Sequence, residues 1–462
     1  MGRKRILLCC LVIGAFALVA ACTPDTGGGG GTTTTTTTTT TIPPNDPNGR
    51  YVTTTGTDTG DCATLATACL TIQYATNQAV AGNTVYVGAG TYPEMVSVDR
   101  ALDYRGANAG NSAGASPAAR GPESIVKGFR NPGNPGTTSI DVTINGFQID
   151  PQGDAALIGA TAQPLVWLRG GTTGVSVTNN QFNGGTYDGA CSYTCTTMTD
   201  YAFTVQSGIV TFADNGVTNF RRPVNINQPV GAPATNAVVS GNSFTGITSR
   251  AVSLGGSTGV QMGGQAVTGN VFDATGRTTS TPAGMTVSNH GNTISGNTFT
   301  GFSSGVYIDL CKKFSTDDNQ IVSNTFTNNS AGINISVNTD GGQCSSSTTE
   351  GTGGWVMGGG RINGLKINDN NFNGNTTYAV RHAAYNWQYW SPSGTPVSAG
   401  PIDATCNYWN SATGPTVDVH NLYTDPIVPV PDQLIYSAAP HPVFTYSPWR
   451  TAAAPGGACD GV

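Results

Sequence analysis

The chain has little charge and few histidines. Of its 462 residues, 20 are Lys or Arg, 26 are Asp or Glu and only 4 are His. Charged residues make up 10% of the sequence, against roughly 25% in an average soluble domain. A net charge of −6 without a basic stripe argues against a nucleic-acid-binding protein. The scarcity of histidine disfavours a zinc site.

The N-terminal segment has the pattern of an export signal. A basic stretch at residues 3–5 precedes an apolar run over residues 6–21, which is too short for a typical membrane-spanning helix. The run ends in Val19-Ala20-Ala21-Cys22, which resembles the bacterial lipobox and implies removal of residues 1–21 and lipidation of Cys22. The alternative is an ordinary secretory peptide cut nearby. We therefore expect an exported protein held by lipid on the cell envelope, at the surface or outer membrane.

The next segment, residues 22–49, is a predicted linker. It is all glycine from 27 to 31 and all threonine from 32 to 41, so it cannot bury apolar area.

The cysteine content indicates disulfides in an oxidising compartment. Of 11 cysteines, Cys9, Cys10 and Cys22 belong to the signal and anchor, which leaves eight (11 − 3). Pairing neighbours along the chain predicts four disulfides: Cys62–Cys69, Cys191–Cys195, Cys311–Cys344 and Cys406–Cys459.

A hexad repeat, (Val/Ile)-x-x-Asn-x-Phe, is the main structural signal. Its Asn stands at positions 180, 242, 270, 297, 324 and 370. Each copy predicts two short strands around a turn, with the Val/Ile and Phe side chains stacked inward about 4.8 Å from the next coil. The Asn is predicted to adopt the left-handed conformation at the turn and to bond to its neighbour in the next coil. Because a β-sandwich would not keep this register, the repeat predicts an all-β solenoid.

Both ends of the repeat region carry predicted caps. Residues 71–79 (TIQYATNQA) are a candidate for a short amphipathic helix that covers the first coil. Together with the segments up to residue 106, they resemble the start of the pectate-lyase-like β-helix superfamily. Residues 406–415 (CNYWNSATGP) resemble the closing motif of bacterial right-handed β-helix surface proteins, with Asn410 where those have Gly. The resemblance implies a right-handed parallel β-helix over residues 50–425 and a C-terminal capping tail over 426–462.

The resemblance also implies where chemistry would lie. Enzymes with this fold act on polysaccharides along one sheet face, the lyases with an Arg or Lys base and often Ca²⁺ held by Asp, the hydrolases with clustered Asp residues. Counting twelve residues beyond the turn Asn places Asp309, Ser336 and His382 on one outward ladder. The catalytic candidates are Asp309, Lys313, Asp340, Arg381 and His382, and the Ca²⁺ candidates are Asp317 and Asp318. The alternative is a solvated row of ion pairs with no catalytic role.

An aromatic cluster at Tyr385, Trp387, Tyr389 and Trp390 supports two interpretations. It is a platform for sugar rings, or it is an apolar plug over the last coil.

Three functional hypotheses stay open. The preferred one is an envelope-anchored β-helix that binds polysaccharide or other envelope components, because no complete catalytic set can be carried over. The second is a polysaccharide lyase or glycoside hydrolase acting on acidic polysaccharide. The third is a structural envelope or assembly subunit. We expect a monomer that binds no nucleic acid and needs no cofactor, Ca²⁺ excepted.

Overall fold

The computed structural model describes most of the chain beyond the predicted linker. The described residues are 46–131, 140–159, 163–168, 174–186, 197–205, 209–228, 236–256, 263–276, 282–309, 318–336, 362, 364–383, 402–420, 434–437, 444–453 and 459–461.

The first of two long parallel sheets contributes one strand to each coil. Each strand places apolar residues inward at alternate positions, as in Val175 and Val177, and polar or small residues outward. Its 13 strands within the described chain are β1 (Gly49–Val52), β2 (Thr84–Val87), β4 (Leu102–Arg105), β6 (Val142–Asn145), β9 (Val175–Thr178), β12 (Ile209–Ala213), β15 (Asn236–Ser240), β18 (Ala266–Thr268), β21 (Thr293–Ser295), β24 (Gln320–Val322), β27 (Lys366–Asn368), β30 (Ile402–Asp403) and β33 (Phe444–Thr445).

The second sheet begins with β3 (Gly90–Ser97) and β5 (Ser124–Arg130) and then divides into two columns. The start of β5 pairs with one column and its end with the other. The short-strand column contains β7 (Gln148–Ile149), β10 (Gln181–Asn183), β13 (Gly216–Thr218), β16 (Ser243–Thr245), β19 (Val271–Asp273), β22 (Thr298–Thr300), β25 (Thr325–Thr327) and β28 (Asn371–Asn373). The long-strand column contains β8 (Val166–Leu168), β11 (Phe203–Val205), β14 (Val224–Gln228), β17 (Arg250–Gly256), β20 (Ala283–Val287), β23 (Ser304–Asp309), β26 (Ala331–Ser336), β29 (Tyr378–Ala383), β31 (Val417–His420) and β32 (Leu434–Ser437).

This arrangement is a right-handed parallel β-helix, and the predicted fold class is confirmed. From β6 to β29 the chain visits the first sheet, the short-strand column and the long-strand column in turn, and each strand pairs in parallel with its counterpart one coil on. Near the end of the chain, β32 lies between β29 and β31. Beyond residue 425, β32 and β33 still add to the two sheets. None of the described helices is long and apolar enough to cross a membrane.

Aromatic side chains fill the core along the short-strand column. Phe244, Phe272, Phe299, Phe326 and Phe372 stack face to face, with adjacent ring centroids 4.6–5.1 Å apart. Trp409 of the closing motif extends the stack, 5.1 Å from Phe372. The hexad therefore places its Phe inward as predicted, and the last coil uses Trp in the same position.

Buried asparagines connect the coils at the turn between the first sheet and the short-strand column. The ladder runs through Asn180, Asn215, Asn242, Asn270, Asn297, Asn324, Asn370 and Asn407. Each amide Nδ2 donates to the Oδ1 atom of the next Asn. The predicted bonding between coils is thus present.

The prediction that these asparagines adopt the left-handed backbone conformation was wrong. The residue before each Asn takes that conformation instead, as at Asn179 (φ 58°), Ser323 (φ 57°) and Asp369 (φ 58°). A left-handed residue reverses the chain there, and this turns the following Asn side chain into the interior. At the closing motif, Asn410 occupies a left-handed position with φ 59°, which Asn tolerates better than most residues with a side chain.

A short helix and two disulfides secure the ends. Helix α1 (Ile72–Gln78) buries Ile72, Ala75 and Thr76 and is capped by Thr71, whose hydroxyl accepts from the N–H of Tyr74. A 3₁₀ turn (Leu65–Thr67) precedes it. The disulfides Cys62–Cys69 and Cys406–Cys459 are two of the four predicted pairs. The second joins the closing turn to an antiparallel hairpin of β34 (Trp449–Arg450) and β35 (Cys459–Gly461).

Candidate functional site

The outward face of the long-strand column carries a continuous row of side chains, one from each coil. The central residue of each strand points outward because its two neighbours are in the core, as Tyr307 does between Val306 and Ile308. Strand register places nine residues in line, from one coil to the next: Arg130, Trp167, Thr204, Asn225, Ser253, Thr286, Tyr307, Asn334 and Arg381. We call these nine residues the long-strand row.

The composition of the long-strand row is polar and mostly neutral. An arginine stands at each end, and five of the seven residues between them are Thr, Ser or Asn. The other two, Trp167 and Tyr307, are aromatic. Eight steps of about 4.8 Å give the row a length of roughly 38 Å. An elongated ligand lying parallel to the axis would meet one side chain in every coil.

Several polar atoms of this row have no hydrogen-bond partner within the described residues. They include Arg130 Nε, Thr204 Oγ1, Asn334 Oδ1 and Arg381 Nε. Each of these atoms is buried, and the whole Thr204 residue is only 7% exposed. Because buried polar atoms are normally paired, these atoms would bond with a ligand, or with a bridging water, if their side chains turned outward.

The N-terminal end of the row is built by Arg130 and its neighbours. The Arg130 guanidinium donates to Gln163 Oε1 at 2.7 Å and to the Pro164 carbonyl at 3.3 Å. Burial lowers the pKa of Arg130, and the nearby charge of Asp154 opposes this effect. Lys127 pairs with the same carboxylate at 3.0 Å. This end of the row is therefore rich in cations.

At the C-terminal end of the row, the strand register differs from the predicted ladder. Asp309 and Ser336 are register partners as predicted, but Ser336 pairs with Ala383, whereas His382 pairs with Ile335. The placement of His382 on the outward ladder was therefore wrong. His382 is fully buried, with its ring edge-on to Phe444 at 6.5 Å, and it does not face a ligand on the outer surface.

The physical reason for this error is one additional residue in the turn before β29. Ala331 follows Ser330 directly, whereas Thr377 intervenes between Thr376 and Tyr378, and both Thr377 and Tyr378 donate their N–H to Ser330 O. Shifting a strand by one residue exchanges its two faces. Arg381 consequently faces outward, with its guanidinium carbon 5.5 Å from the centroid of the Tyr378 ring.

The remaining predicted site residues divide into two groups. Asp309 lies on β23 and is 5% exposed, and Asp318 is an exposed turn residue with φ 57°. The others lie outside the described residues: Cys22, Cys191, Cys195, Cys311, Lys313, Asp317, Asp340, Cys344, Tyr385, Trp387, Tyr389 and Trp390. Among the described residues, no three His, Cys, Asp or Glu side chains are grouped to hold a metal ion.

Sequence reasoning missed most of the long-strand row. A usable signal exists, because the long strands from β8 to β26 each have one polar or aromatic residue between two apolar ones. Examples are Val166-Trp167-Leu168, Phe203-Thr204-Val205 and Val306-Tyr307-Ile308. Aligning these triplets, instead of counting from the turn Asn, finds the seven residues between the two terminal arginines of the row.

Solved structures with some similarity to the chain include three proteins, each at low identity. "XylC with xylose" shows 12% identity and a TM-score of 0.37, covering 78% of this chain and 75% of that one. DFA-IIIase from Arthrobacter chlorophenolicus A6, in complex with GF2, shows 13% identity and a TM-score of 0.29, and the match covers 80% of this chain and 82% of that one. The Streptococcus pneumoniae surface protein and adhesin PfbA shows 12% identity and a TM-score of 0.25, and the match covers 81% of this chain and 92% of that one. No protein-family model and no curated protein matches the chain.

Proposed function

We propose that this chain is an exported β-helix protein that binds a polysaccharide along the long-strand row. The observation that carries the proposal is the unbroken register of nine outward polar and aromatic side chains. A polymer of repeating units suits a surface that itself repeats in every coil. Lipid on Cys22 would hold the protein on the cell envelope.

The chemistry of the row supports a sugar ligand over an apolar one. Hydroxyl and amide groups of Thr204, Asn225, Ser253 and Asn334 can exchange hydrogen bonds with sugar hydroxyls. Trp167 and Tyr307 provide flat apolar surfaces between these polar groups. Each of the two aromatic side chains has polar side chains as its neighbours in the row, so a sugar ring stacked there would also be within reach of hydrogen-bonding groups.

Steric blocking of the row tests this proposal. We would screen the mature protein against a panel of neutral and acidic polysaccharides, with and without Ca²⁺, and repeat the positive cases with Ser253→Trp. Ser253 lies at the middle of the row, and an indole there would obstruct a ligand on either side. The matched control is Thr293→Trp, which adds the same bulk to the outward face of the first sheet.

The expected result is loss of binding in Ser253→Trp and full binding in Thr293→Trp. Binding that survives in Ser253→Trp would place the ligand elsewhere on the molecule. Retention of no polysaccharide by the wild-type protein, together with stable co-purification of other envelope proteins, would support the structural-subunit hypothesis instead.

A lyase is the second candidate function, because Arg381 faces outward on the same row and its Nε has no partner within the described residues. Catalysis would be detected as new double-bond absorbance or new reducing ends during incubation with uronic-acid polymers. Loss of that signal in Arg381→Ala, with binding retained, would favour the enzyme. Absence of any product from a polymer that binds would favour the non-catalytic function.

A further inference from the structure

Two arginines bind one buried carboxylate where the long strands begin. Asp200 is 2% exposed. Arg221 donates to its Oδ1 from Nε at 2.8 Å and to its Oδ2 from Nη2 at 3.0 Å. Arg222 uses the same two nitrogens on the same two oxygens, with Nε 3.0 Å from Oδ1. One bidentate arginine is enough to neutralise a carboxylate, so the second leaves an excess positive charge.

The two arginines differ in how much of their surface reaches solvent. The side chain of Arg221 is 10% exposed, whereas that of Arg222 is 25% exposed. Since Nε and Nη2 of Arg222 are directed at Asp200, Nη1 is the part of this guanidinium that points away from the carboxylate. Nη1 has no protein partner within the described residues. Arg221 therefore forms the more deeply buried ion pair with Asp200, and Arg222 keeps one donor group, Nη1, that the carboxylate does not use.

Tyr201 fixes the plane of the Arg222 guanidinium from a second side. The guanidinium carbon lies 4.8 Å from the centroid of the Tyr201 ring, a distance at which the ring face attracts a cation. Asp200 at one edge and the ring at one face hold the group in a single orientation. A donor that is oriented before binding loses little conformational entropy when a ligand arrives.

A third arginine adds to the positive charge at this place. The N–H of Arg222 donates to Asp200 O, and the N–H of Arg250 donates to Arg221 O, so three consecutive coils are joined here. Burial raises the pKa of Tyr201, and the charges of all three arginines oppose that rise, so all three lie within electrostatic reach of it. Three cations and one carboxylate give a net charge of +2 in a chain whose formal charge is −6.

This cluster lies beside the long-strand row. Tyr201 comes two residues before β11, Arg222 two residues before β14, and Arg250 is the first residue of β17. The row residues of these strands, Thr204, Asn225 and Ser253, each follow three residues later. Three residues of strand span about 10 Å. A substituent on a polymer bound along the row can therefore reach the cluster.

We infer that Arg222, positioned by Asp200 and Tyr201, is a subsite for one anionic group, a carboxylate or a sulfate ester, on the bound glycan. This inference rests on the proposed polysaccharide binding and names the class of ligand. A planar guanidinium matches the paired oxygens of both groups, and lysine at the same position would lack that geometry.

The test compares acidic polymers with neutral polymers of the same backbone. The probes are polygalacturonate and its methyl ester, and dextran sulfate and dextran. The variants are Arg222→Gln and, as a control for net charge, Arg105→Gln, which alters an exposed arginine on the first sheet. Because Arg221 still pairs with Asp200 in Arg222→Gln, the buried carboxylate keeps a partner, and a melting curve checks the fold.

We expect the wild-type protein to prefer one acidic probe over its neutral counterpart. We expect Arg222→Gln to weaken that binding roughly tenfold or more while Arg105→Gln binds normally. Acidic binding that Ser253→Trp abolishes and Arg222→Gln leaves intact would overturn the subsite and leave the proposed function standing. Equal binding of the acidic and neutral polymers would also overturn the subsite and leave the proposed function standing. Binding of none of the four probes or of the polysaccharide panel would overturn both.

Discussion

Replacing one asparagine of the ladder tests how the coils are held in register. Asn297 is 1% exposed. Its Oδ1 accepts from the N–H and the Nδ2 of Asn270, both at 2.9 Å. Its Nδ2 donates to Val267 O at 2.8 Å and to Asn324 Oδ1 at 2.9 Å. Asn297→Ala removes all four bonds at once.

The expected cost follows from the groups that lose their partners. The backbone N–H of Asn270 and the carbonyl of Val267 each lose a bond in the interior. A buried polar group left unsatisfied costs about 1–3 kcal/mol. Two such groups give a loss of about 4 kcal/mol in the free energy of unfolding. The loss should be local, because each coil of a solenoid contacts only its neighbours.

Urea unfolding and amide hydrogen exchange would measure this effect. The matched control is Asn373→Ala, an exposed Asn on the short-strand column, which should change stability by no more than about 0.5 kcal/mol. We expect faster exchange near the turns of residues 270–324 in Asn297→Ala and unchanged exchange far along the helix. A loss below about 1 kcal/mol, or one equal to that of the control, would refute the account of the ladder.

Three further predictions concern the core, the disulfides and alkaline stability. In Gly305→Ala the new Cβ would lie 2.6 Å from a ring carbon of Phe326, so we expect a loss of about 1–3 kcal/mol by thermal unfolding; the same change at Gly121, 3.9 Å from its nearest neighbour, should be neutral. Removing the Cys406–Cys459 disulfide, with a sequence separation of 53, should cost about 4 kcal/mol, and removing Cys62–Cys69, with a separation of 7, about 2.5 kcal/mol; the reverse order in urea unfolding would contradict the loop-entropy argument. Burial raises the pKa of Tyr92 to about 12, so the unfolded chain loses this proton first and stability falls as pH rises from 10 to 12. Tyr92→Phe should reduce that fall, measured as the melting temperature at each pH. A melting-temperature profile identical to that of the wild-type protein would contradict the role of Tyr92.

The parts of the fold that depend on adjacent residues could be predicted from the sequence. The hexad contains its two strands and its turn within six residues, so the inward Phe and the Asn ladder follow from alternation alone. The two disulfides that the structure describes also join cysteines that are neighbours along the chain.

The candidate site could not be predicted in the same way, because it depends on turns of unequal length. Asp309 and Ser336 come twelve residues after their ladder Asn, but in the next coil Thr377 displaces the count by one. The cluster at Asp200 has a different origin. Its members lie 21 and 22 residues apart along the chain, with no repeat to align them, and only folding brings them together.

Inserting a second threonine after Thr377 would show what fixes the register at the end of the long-strand row. The wild-type turn already holds one residue more than the turn one coil earlier, where Ala331 follows Ser330 directly. If the core sets the register, the longer turn bulges and β29 keeps its pairing, because Val380 faces inward beside Ile333 and a slip of one residue would expose it. We expect thiol labelling of Arg381→Cys to be fast and that of His382→Cys to be slow, with and without the insertion. Reversal of the two rates in the lengthened chain would mean that turn length, and not burial of apolar side chains, decides which residue faces the ligand.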